Sequence, residues 1–236
     1  GTIQAVFNGE IYNFRDLQHE LAGLGHRFRG HSDTEVMLAA FEQWGVEASL
    51  KRFIGMFAFA LWDGRERVLH LARDRMGEKP LYYGWMDGTL LFGSELKALR
   101  AHPAWRGEID RDALALYMRH NYVPAPYSIY RDVFKLPAAC LLTVKPGGRP
   151  GGFSPHAGRG SPAPVEYWSA RRAAEQGVAD PLAGGEAAAV EELDELLRDA
   201  VAQKMVADVP LGAFLSGGFD SSAVVALMQV QSARPV

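Results

Sequence analysis

Two hairpin signals constrain the fold of this 236-residue chain more than any other feature of its sequence. Residues 57–62 are apolar at every position, which is typical of a strand covered on both faces. Asp63 and Gly64 then turn the chain into the apolar residues 68–72, and Asp87 and Gly88 join residues 81–83 to residues 90–92. Since such short turns connect antiparallel neighbours, the sequence predicts an antiparallel sheet.

Two helices are predicted ahead of these hairpins. Asn13 is placed to cap the first helix, with Leu17, Leu21 and Leu24 on one face and Gly25 at its end. Residues 32–35 match a capping box, with Ser at the N-cap and Glu three residues later, and the apolar spacing then continues to Gly45. Between the first strand and the first helix, residues 8–10 (Asn-Gly-Glu) are a turn signal. We therefore expect residues 1–145 to form a layered α+β domain.

The rest of the chain predicts a linker and the beginning of a second domain. Residues 146–185 are rich in Gly, Pro and Ser, which is typical of a linker or surface loop, and Tyr167 with Trp168 is expected to form a short strand or an anchor within it. Residues 186–236 contain an amphipathic helix, an apolar strand at 211–215 and a further helix at 223–228. Strand, Gly-rich turn and helix in this order begin a parallel α/β sheet.

Composition narrows the classes of function. A net charge of −3 argues against a surface that binds nucleic acid through phosphates, and no apolar run is long enough to cross a membrane. One cysteine and seven histidines show no zinc-site spacing, so no structural metal is predicted. The single Cys140 fits a reducing cytoplasm, where we expect the protein to act. Gly1 in place of Met predicts an interior piece of a longer protein.

The segment from Ser216 to Ser222 carries the most chemistry. Adjacent Gly217 and Gly218 let main-chain N–H groups approach an anion at the start of a helix, and the hydroxyls of Ser216, Ser221 and Ser222 can donate to phosphate oxygens. Asp220 would repel phosphates unless a divalent cation, Mg²⁺, lay between them. A plain Gly-Gly turn before a capped helix is the alternative interpretation.

This segment resembles the PP-loop of ATP pyrophosphatases. The resemblance implies ATP binding by Leu215, Ser216, Gly217, Gly218, Asp220, Ser221 and Ser222, with Asp220 acting on Mg²⁺ through the pyrophosphate group. Phe219 occupies a position that the family leaves variable.

The first domain resembles the glutaminase domain of class II glutamine amidotransferases. The likeness is carried by five ordered blocks: residues 8–13, 32–35, 55–60, 73–83 and 94–99. Followed by a PP-loop, this order resembles the glutamine-hydrolysing asparagine synthetases. It implies an Ntn-type antiparallel fold, an oxyanion hole made by the Asn8 side chain and the Gly9 N–H, and a glutamine site that also includes Glu10 and Asp33.

The resemblance also defines what this stretch of chain lacks. The family's nucleophile is an N-terminal cysteine, which this sequence does not contain at its start, while Cys140 lies in an apolar run and is predicted to be inert core. We therefore expect that residues 1–236 alone do not hydrolyse glutamine. Arg73, Arg75 and Lys79 are expected in a solvated hairpin or in interdomain salt bridges, with an anion site as the alternative. Arg73 and Asp74 are assigned structural roles.

The implied activity is ATP- and Mg²⁺-dependent amide formation from glutamine-derived ammonia. The resemblance implies aspartate as the acceptor, through an acyl-adenylate with release of AMP and pyrophosphate. Two alternatives stay open: a related amidotransferase acting on another carboxylate, in polysaccharide or secondary-metabolite biosynthesis, and a non-catalytic scaffold descendant. No nucleic-acid or membrane partner is expected, and a homodimer is left open.

Overall fold

The computed structural model describes residues 3–146, 163–207 and 209–235. It divides the chain into two compact units, Gly1–Ala170 and Arg171–Val236. No described helix combines the length and the apolar character that a membrane span requires.

The first unit contains eight described strands and five helices. The strands are β1 Ile3–Ile11, β2 Gly55–Asp63, β3 Val68–Arg73, β4 Tyr82–Met86, β5 Thr89–Gly93, β6 Val133–Lys135, β7 Cys140–Val144 and β8 Val165–Glu166. The helices are α1 Phe14–Gly23, α2 Asp33–Trp44, α3 Val46–Arg52, α4 Leu96–Arg100 and α5 Arg111–His120. The second unit is helical in its described part, with α6 Ala170–Ala179, α7 Gly185–Lys204 and α8 Phe219–Val230.

Two antiparallel sheets form the centre of the first unit. The five-stranded sheet has the order β1-β2-β3-β7-β8 and the three-stranded sheet the order β5-β4-β6, with antiparallel neighbours throughout. Both predicted hairpins, β2–β3 and β4–β5, are present. The prediction of a layered α+β domain is confirmed.

Strand β2 shows why the layers stack. Phe57, Phe59 and Leu61 belong to a core shared with α1 and α2, whose members Leu21 and Met37 are fully buried. The alternating residues Ala58 and Ala60 pack into a second core with residues of the three-stranded sheet. Because side chains alternate across a strand, a run that is apolar at every position has to be covered on both sides. A third core, which includes Leu99 of α4, covers residues of β4 and β5.

The predicted turn at residues 8–10 is wrong. These residues continue β1, which pairs with β2 along its whole length, from Ile3 opposite Asp63 to Ile11 opposite Gly55. Gly9 and Gly55 allow β1 and β2 to approach each other closely. A Cβ on Gly9 would lie 2.1 Å from the Met56 carbonyl oxygen, and one on Gly55 would lie 2.2 Å from the Glu10 carbonyl oxygen.

The two predicted helices form, although the contacts at their ends differ from the predicted ones. Leu17 and Leu21 of α1 are buried as expected, but Leu24 lies beyond the helix and is 53% exposed. Asn13 precedes α1 without capping it, because its carboxamide bonds instead to the main chain of Arg52 and Ile54.

Ser32 caps α2 by accepting the Thr34 N–H, whereas the Glu35 carboxylate does not close the capping box. It accepts the N–H groups of Arg29 and Gly30, each at 2.8 Å, and so holds the preceding loop. The short helix α3 was not predicted.

Tyr167 anchors the segment that composition assigned to a linker. Val165 and Glu166 extend the five-stranded sheet beside β7, and the Tyr167 hydroxyl donates to the Arg73 carbonyl at 2.8 Å. The expectation of a short strand or anchor here is confirmed, whereas α6 occupies part of the predicted loop. Residues 147–162 lie outside the described residues.

The predicted strand at 211–215 is absent, while the helix that follows it is present as α8. The described part of the second unit contains no strand at all. A strand needs a neighbour to satisfy its main-chain N–H and C=O groups, so the apolar run at 211–215 has no ladder to join.

The close approach at Gly9 predicts a large effect of adding one methyl group. Gly9→Ala is expected to lower the free energy of unfolding by about 3 kcal/mol or more, because the new Cβ meets the β2 backbone and φ is +153°. Urea-induced unfolding measures the change. The matched control is Gly23→Ala in α1, where nothing lies within 4 Å of the Cβ position. That variant should be neutral or more stable by up to about 1 kcal/mol. Equal effects of the two changes would contradict the packing described here.

Candidate functional site

Asn8 lies on the exposed side of β1, at the border between the two sheets. Its Nδ2 donates to the Ser94 Oγ at 2.9 Å. Asn8 belongs to the five-stranded sheet, whereas Ser94 directly follows β5 of the three-stranded sheet. The hydrogen bond therefore joins the two sheets at this edge.

Gly9 and Glu10 follow Asn8 along the same strand. Gly9 faces Phe57 in the β1–β2 pairing, and its φ of +153° is a conformation that favours glycine. The Glu10 side chain is exposed beside it. Successive residues of a strand point to opposite faces, so Asn8 and Glu10 project from the same face of β1.

Asp33 is brought to the end of β1 by the start of α2. Its Oδ2 accepts the Ile11 N–H at 3.0 Å, and its Oδ1 accepts the Thr34 hydroxyl at 3.3 Å. The four predicted residues of the first unit, Asn8, Gly9, Glu10 and Asp33, therefore gather within the last part of one strand and the helix terminus bonded to it.

Further acidic groups lie at this end of the strand. Burial, followed by the negative charges of Glu78, Glu10 and Asp74, raises the pKa of Tyr12 to about 12. Three carboxylates thus act on one phenol, which makes the surroundings favourable for a cationic group. Sequence analysis did not assign Glu78 or Tyr12, although both lie inside the blocks that carry the family resemblance.

Asp74 is fully buried and holds the loop that carries Glu78. Its carboxylate accepts four main-chain N–H groups at 2.9–3.2 Å, those of Phe57, Met76, Glu78 and Lys79. The structural role predicted for Asp74 is confirmed by this set of contacts.

Arg73 completes the same loop with its guanidinium group. It donates to the carbonyl oxygens of Lys79 at 2.6 Å, Leu136 at 2.8 Å and Gly77 at 2.5 Å. The expectation of a solvated hairpin or interdomain salt bridge is wrong for Arg73, because the charge is half-buried and its donors are used by main-chain carbonyls. The structural role assigned to Arg73 is confirmed by the same contacts. Arg75 likewise donates to the Lys51 carbonyl at 2.7 Å.

Cys140 lies inside the core between the sheets, as predicted. Burial raises the pKa of its thiol to about 11, so the thiol stays protonated at neutral pH. A protonated, buried thiol is a poor nucleophile.

The predicted phosphate loop forms the turn before α8. Gly217 has a φ of +80°, nothing lies within 4 Å of its Cβ position, and Gly218 is the N-cap of α8. No side chain caps the first turn of the helix, so no capping side chain occupies its first N–H groups. The Ser216 and Ser221 hydroxyls lie 2.9 Å apart, and those of Ser221 and Ser222 donate to the Gly218 carbonyl.

These features fit a phosphate group, since an open glycine backbone and an uncapped helix N-terminus both favour anions. Leu215, just before the loop, and Asp220, in the first turn of α8, are both exposed. Asp220 is a single carboxylate, and the described residues hold no group of three or more His, Cys, Asp or Glu arranged for a metal ion. One carboxylate together with substrate phosphates is nevertheless a usual way for proteins to bind Mg²⁺.

Two family models match parts of this chain. Residues 1–152 match the family model described as a glutamine amidotransferase domain. The chain belongs to the glutamine amidotransferase family. Residues 192–236 match a second model, described as asparagine synthase, and these include the whole predicted phosphate loop.

Relatives of this amidotransferase chain carry both parts in the same order. Asparagine synthetase [glutamine-hydrolyzing] 3 of Bacillus subtilis is 35% identical over 96% of this chain and 34% of its own length. A putative asparagine synthetase of Mycobacterium tuberculosis is 39% identical over 94% of this chain and 32% of its own length. Amidase chry2 of Gibberella zeae is 30% identical over 97% of this chain and 31% of its own length. The chain thus spans about a third of the length of these relatives.

A solved structure, the glutamine phosphoribosylpyrophosphate amidotransferase of B. subtilis, aligns with a TM-score of 0.47 at 18% identity. The alignment covers 70% of this chain and 29% of that protein.

The buried carboxylate of this amidotransferase domain predicts a strong dependence of stability on one oxygen atom. Asp74→Asn keeps the size of the side chain but turns an amide N–H₂ towards main-chain donors. We expect the free energy of unfolding to fall by about 3 kcal/mol, because buried N–H groups lose their acceptor.

Urea-induced unfolding tests this, with Asp112→Asn in α5 as the matched control. Asp112 is exposed in the first turn of α5, so its substitution should change stability by no more than about 0.5 kcal/mol. A loss for Asp74→Asn as small as that of the control would show that the loop does not depend on the carboxylate.

Proposed function

We propose that the protein containing this chain forms an amide from a carboxylic acid, with ammonia released from glutamine and with ATP as the energy source. The observation that carries the proposal is the gathering of Asn8, Gly9, Glu10 and Asp33 at one end of β1. ATP is converted to AMP and pyrophosphate, and glutamine to glutamate. The cytoplasm is the proposed location of the reaction.

Asn8 and Gly9 act on the glutamine carboxamide. Attack on an amide carbon places negative charge on its oxygen, and preorganised N–H donors stabilise that charge. The Asn8 Nδ2 has one hydrogen directed to Ser94 and therefore retains a second for the oxyanion. The Gly9 N–H is the second donor. The attacking thiol belongs to the N-terminal cysteine that the resemblance implies for the longer protein.

Asp33 and Glu10 hold the glutamine α-amino group. The Asp33 carboxylate is already fixed in place by the Ile11 N–H, so little freedom is lost when it accepts an ammonium group. The nearby charge of Glu78, felt at Tyr12, adds to the attraction for a cation.

The Gly217–Gly218 turn and the start of α8 bind the ATP phosphates. Ser216 supplies a hydroxyl donor, as do Ser221 and Ser222 once their hydroxyls turn away from the Gly218 carbonyl, and Leu215 lies beside the nucleotide. Mg²⁺, when bound, neutralises phosphate charge. Asp220 is the residue that would hold Mg²⁺ beside the ATP phosphates.

Aspartate is the proposed acceptor, in line with the names of the relatives from B. subtilis and M. tuberculosis. A different carboxylate is the second candidate, since the relatives that match this span include one that is not named an asparagine synthetase, Amidase chry2.

The direct test is an assay of the full-length gene product for glutamate and pyrophosphate. Both products are expected with glutamine, ATP, Mg²⁺ and aspartate together. Pyrophosphate that forms only with another carboxylate would overturn aspartate and keep the mechanism. No pyrophosphate with any acceptor, with either glutamine or ammonia, would favour a non-catalytic descendant.

Two substitutions should separate the two half-reactions. Asn8→Ala is expected to lower kcat for glutamine hydrolysis by about 10²–10³-fold, the usual cost of one oxyanion donor, and to leave amide formation from free ammonia unchanged. Asp220→Asn should do the reverse, abolishing pyrophosphate release with either nitrogen source while glutamine hydrolysis persists. Glutamate and pyrophosphate are measured separately for each variant.

Matched controls come from the same elements. Gln4→Ala alters an exposed side chain four residues earlier on β1, and Glu192→Gln alters an exposed carboxylate on α7. Both should retain both half-reactions. A loss of both half-reactions in Asn8→Ala or in Asp220→Asn would contradict the division of labour proposed here.

A further inference from the structure

The Asn8 carboxamide is a flexible group unless something fixes its plane. Rotation about the last torsion of an asparagine side chain has broad minima, and the Asn8 side chain is exposed on its strand. Its Nδ2 donates to the Ser94 Oγ at 2.9 Å. That contact spans 86 positions of sequence and comes from the other sheet.

Ser94 is itself held by its surroundings. Gly93, the last residue of β5, pairs with Tyr82 of β4, and its Cβ position is 3.1 Å from Leu99 of α4. Because α4 packs closely on Gly93, the main chain immediately before Ser94 is held in place. The main chain that carries the Ser94 hydroxyl is therefore fixed. A side chain that orients another residue needs such a fixed position.

We propose that Ser94 is a positioning residue for glutamine hydrolysis: its hydroxyl accepts one hydrogen of the Asn8 carboxamide and aims the other at the oxyanion. This inference rests on the proposed role of Asn8 and extends it to a residue of the second sheet. No bond to Ser94 forms or breaks in the reaction. Its contribution is made entirely through Asn8.

The consequence is specific to the transition state. An unfixed carboxamide still lines the glutamine site, so substrate binding changes little. The donor is misaligned when charge develops on the oxygen, and small misplacements at such a point lower the rate substantially. Ser94 should therefore affect kcat more than KM.

The test uses the full-length gene product and the variants Ser94→Ala, Ser94→Thr, Asn8→Ala and the double variant. Ser94→Ala is expected to lower kcat for glutamine hydrolysis by about 10-fold with KM within about two-fold. Ser94→Thr keeps an Oγ acceptor and should recover most of the loss. In the Asn8→Ala background, Ser94→Ala should have no further effect, since there is no carboxamide left to orient.

Amide formation from free ammonia separates this role from a general structural one. It bypasses glutamine hydrolysis and should be unchanged in Ser94→Ala. The control Ser49→Ala removes a hydroxyl that bonds within its own helix, to the Gly45 carbonyl at 2.7 Å, and should leave both activities unchanged.

Three outcomes would overturn the proposal for Ser94: an effect confined to KM, an equal loss with ammonia, or losses that multiply in the double variant. A different result marks failure of the proposed function itself. If Asn8→Ala leaves kcat for glutamine hydrolysis unchanged, then Asn8 is not an oxyanion donor, and the role of Ser94 is overturned with it.

Discussion

The buried carboxylate of Asp74 is the constraint on which much of the first unit depends. A carboxylate that is shielded from water is tolerated only when its oxygen lone pairs accept hydrogen bonds. The Asp74 carboxylate accepts hydrogen bonds from four main-chain N–H groups. Three of them come from the loop that follows β3, so the loop has to wrap around the side chain. The fourth comes from Phe57 in β2. One carboxylate therefore determines the path of a loop and its position against the neighbouring strand.

Arg73 extends this constraint from one sheet to the other. Its guanidinium group binds the Leu136 carbonyl just beyond β6, while its own carbonyl accepts the Tyr167 hydroxyl. The main chain of Asp74 also accepts the Ala139 N–H at 2.8 Å, just before β7. Phe57, held by Asp74, is in turn the partner of Gly9 in the β1–β2 pairing. The proposed oxyanion donors thus lie on a strand whose neighbour is fixed by a fully buried polar group.

Sequence reasoning succeeded where local pattern and final environment agree. Residues 57–62 are apolar on both faces and are buried on both faces, and the Asp87–Gly88 turn has the positive φ values that such hairpins need. Sequence reasoning failed where the same residue type can have two different structural roles. Gly9 follows an asparagine as in a turn, yet its missing side chain is needed for contact with β2. Glu35 has capping-box spacing, yet the nearby loop offers its carboxylate two other N–H groups.

The sequence by itself determined the two hairpins β2–β3 and β4–β5, the burial of β2 on both faces, and the two motif-bearing segments around Asn8 and Gly217. These features depend on the spacing of residues that are close together in the sequence. Only the tertiary structure decided that Ser94 meets Asn8, that Glu78 acts on Tyr12, and that Arg73 bonds to carbonyls rather than to solvent. Those contacts arise from the stacking of two sheets and the wrapping of one loop. The contacts of Ser94 with Asn8, of Glu78 with Tyr12 and of Arg73 with Leu136 join residues far apart in sequence, and no local periodicity specifies them.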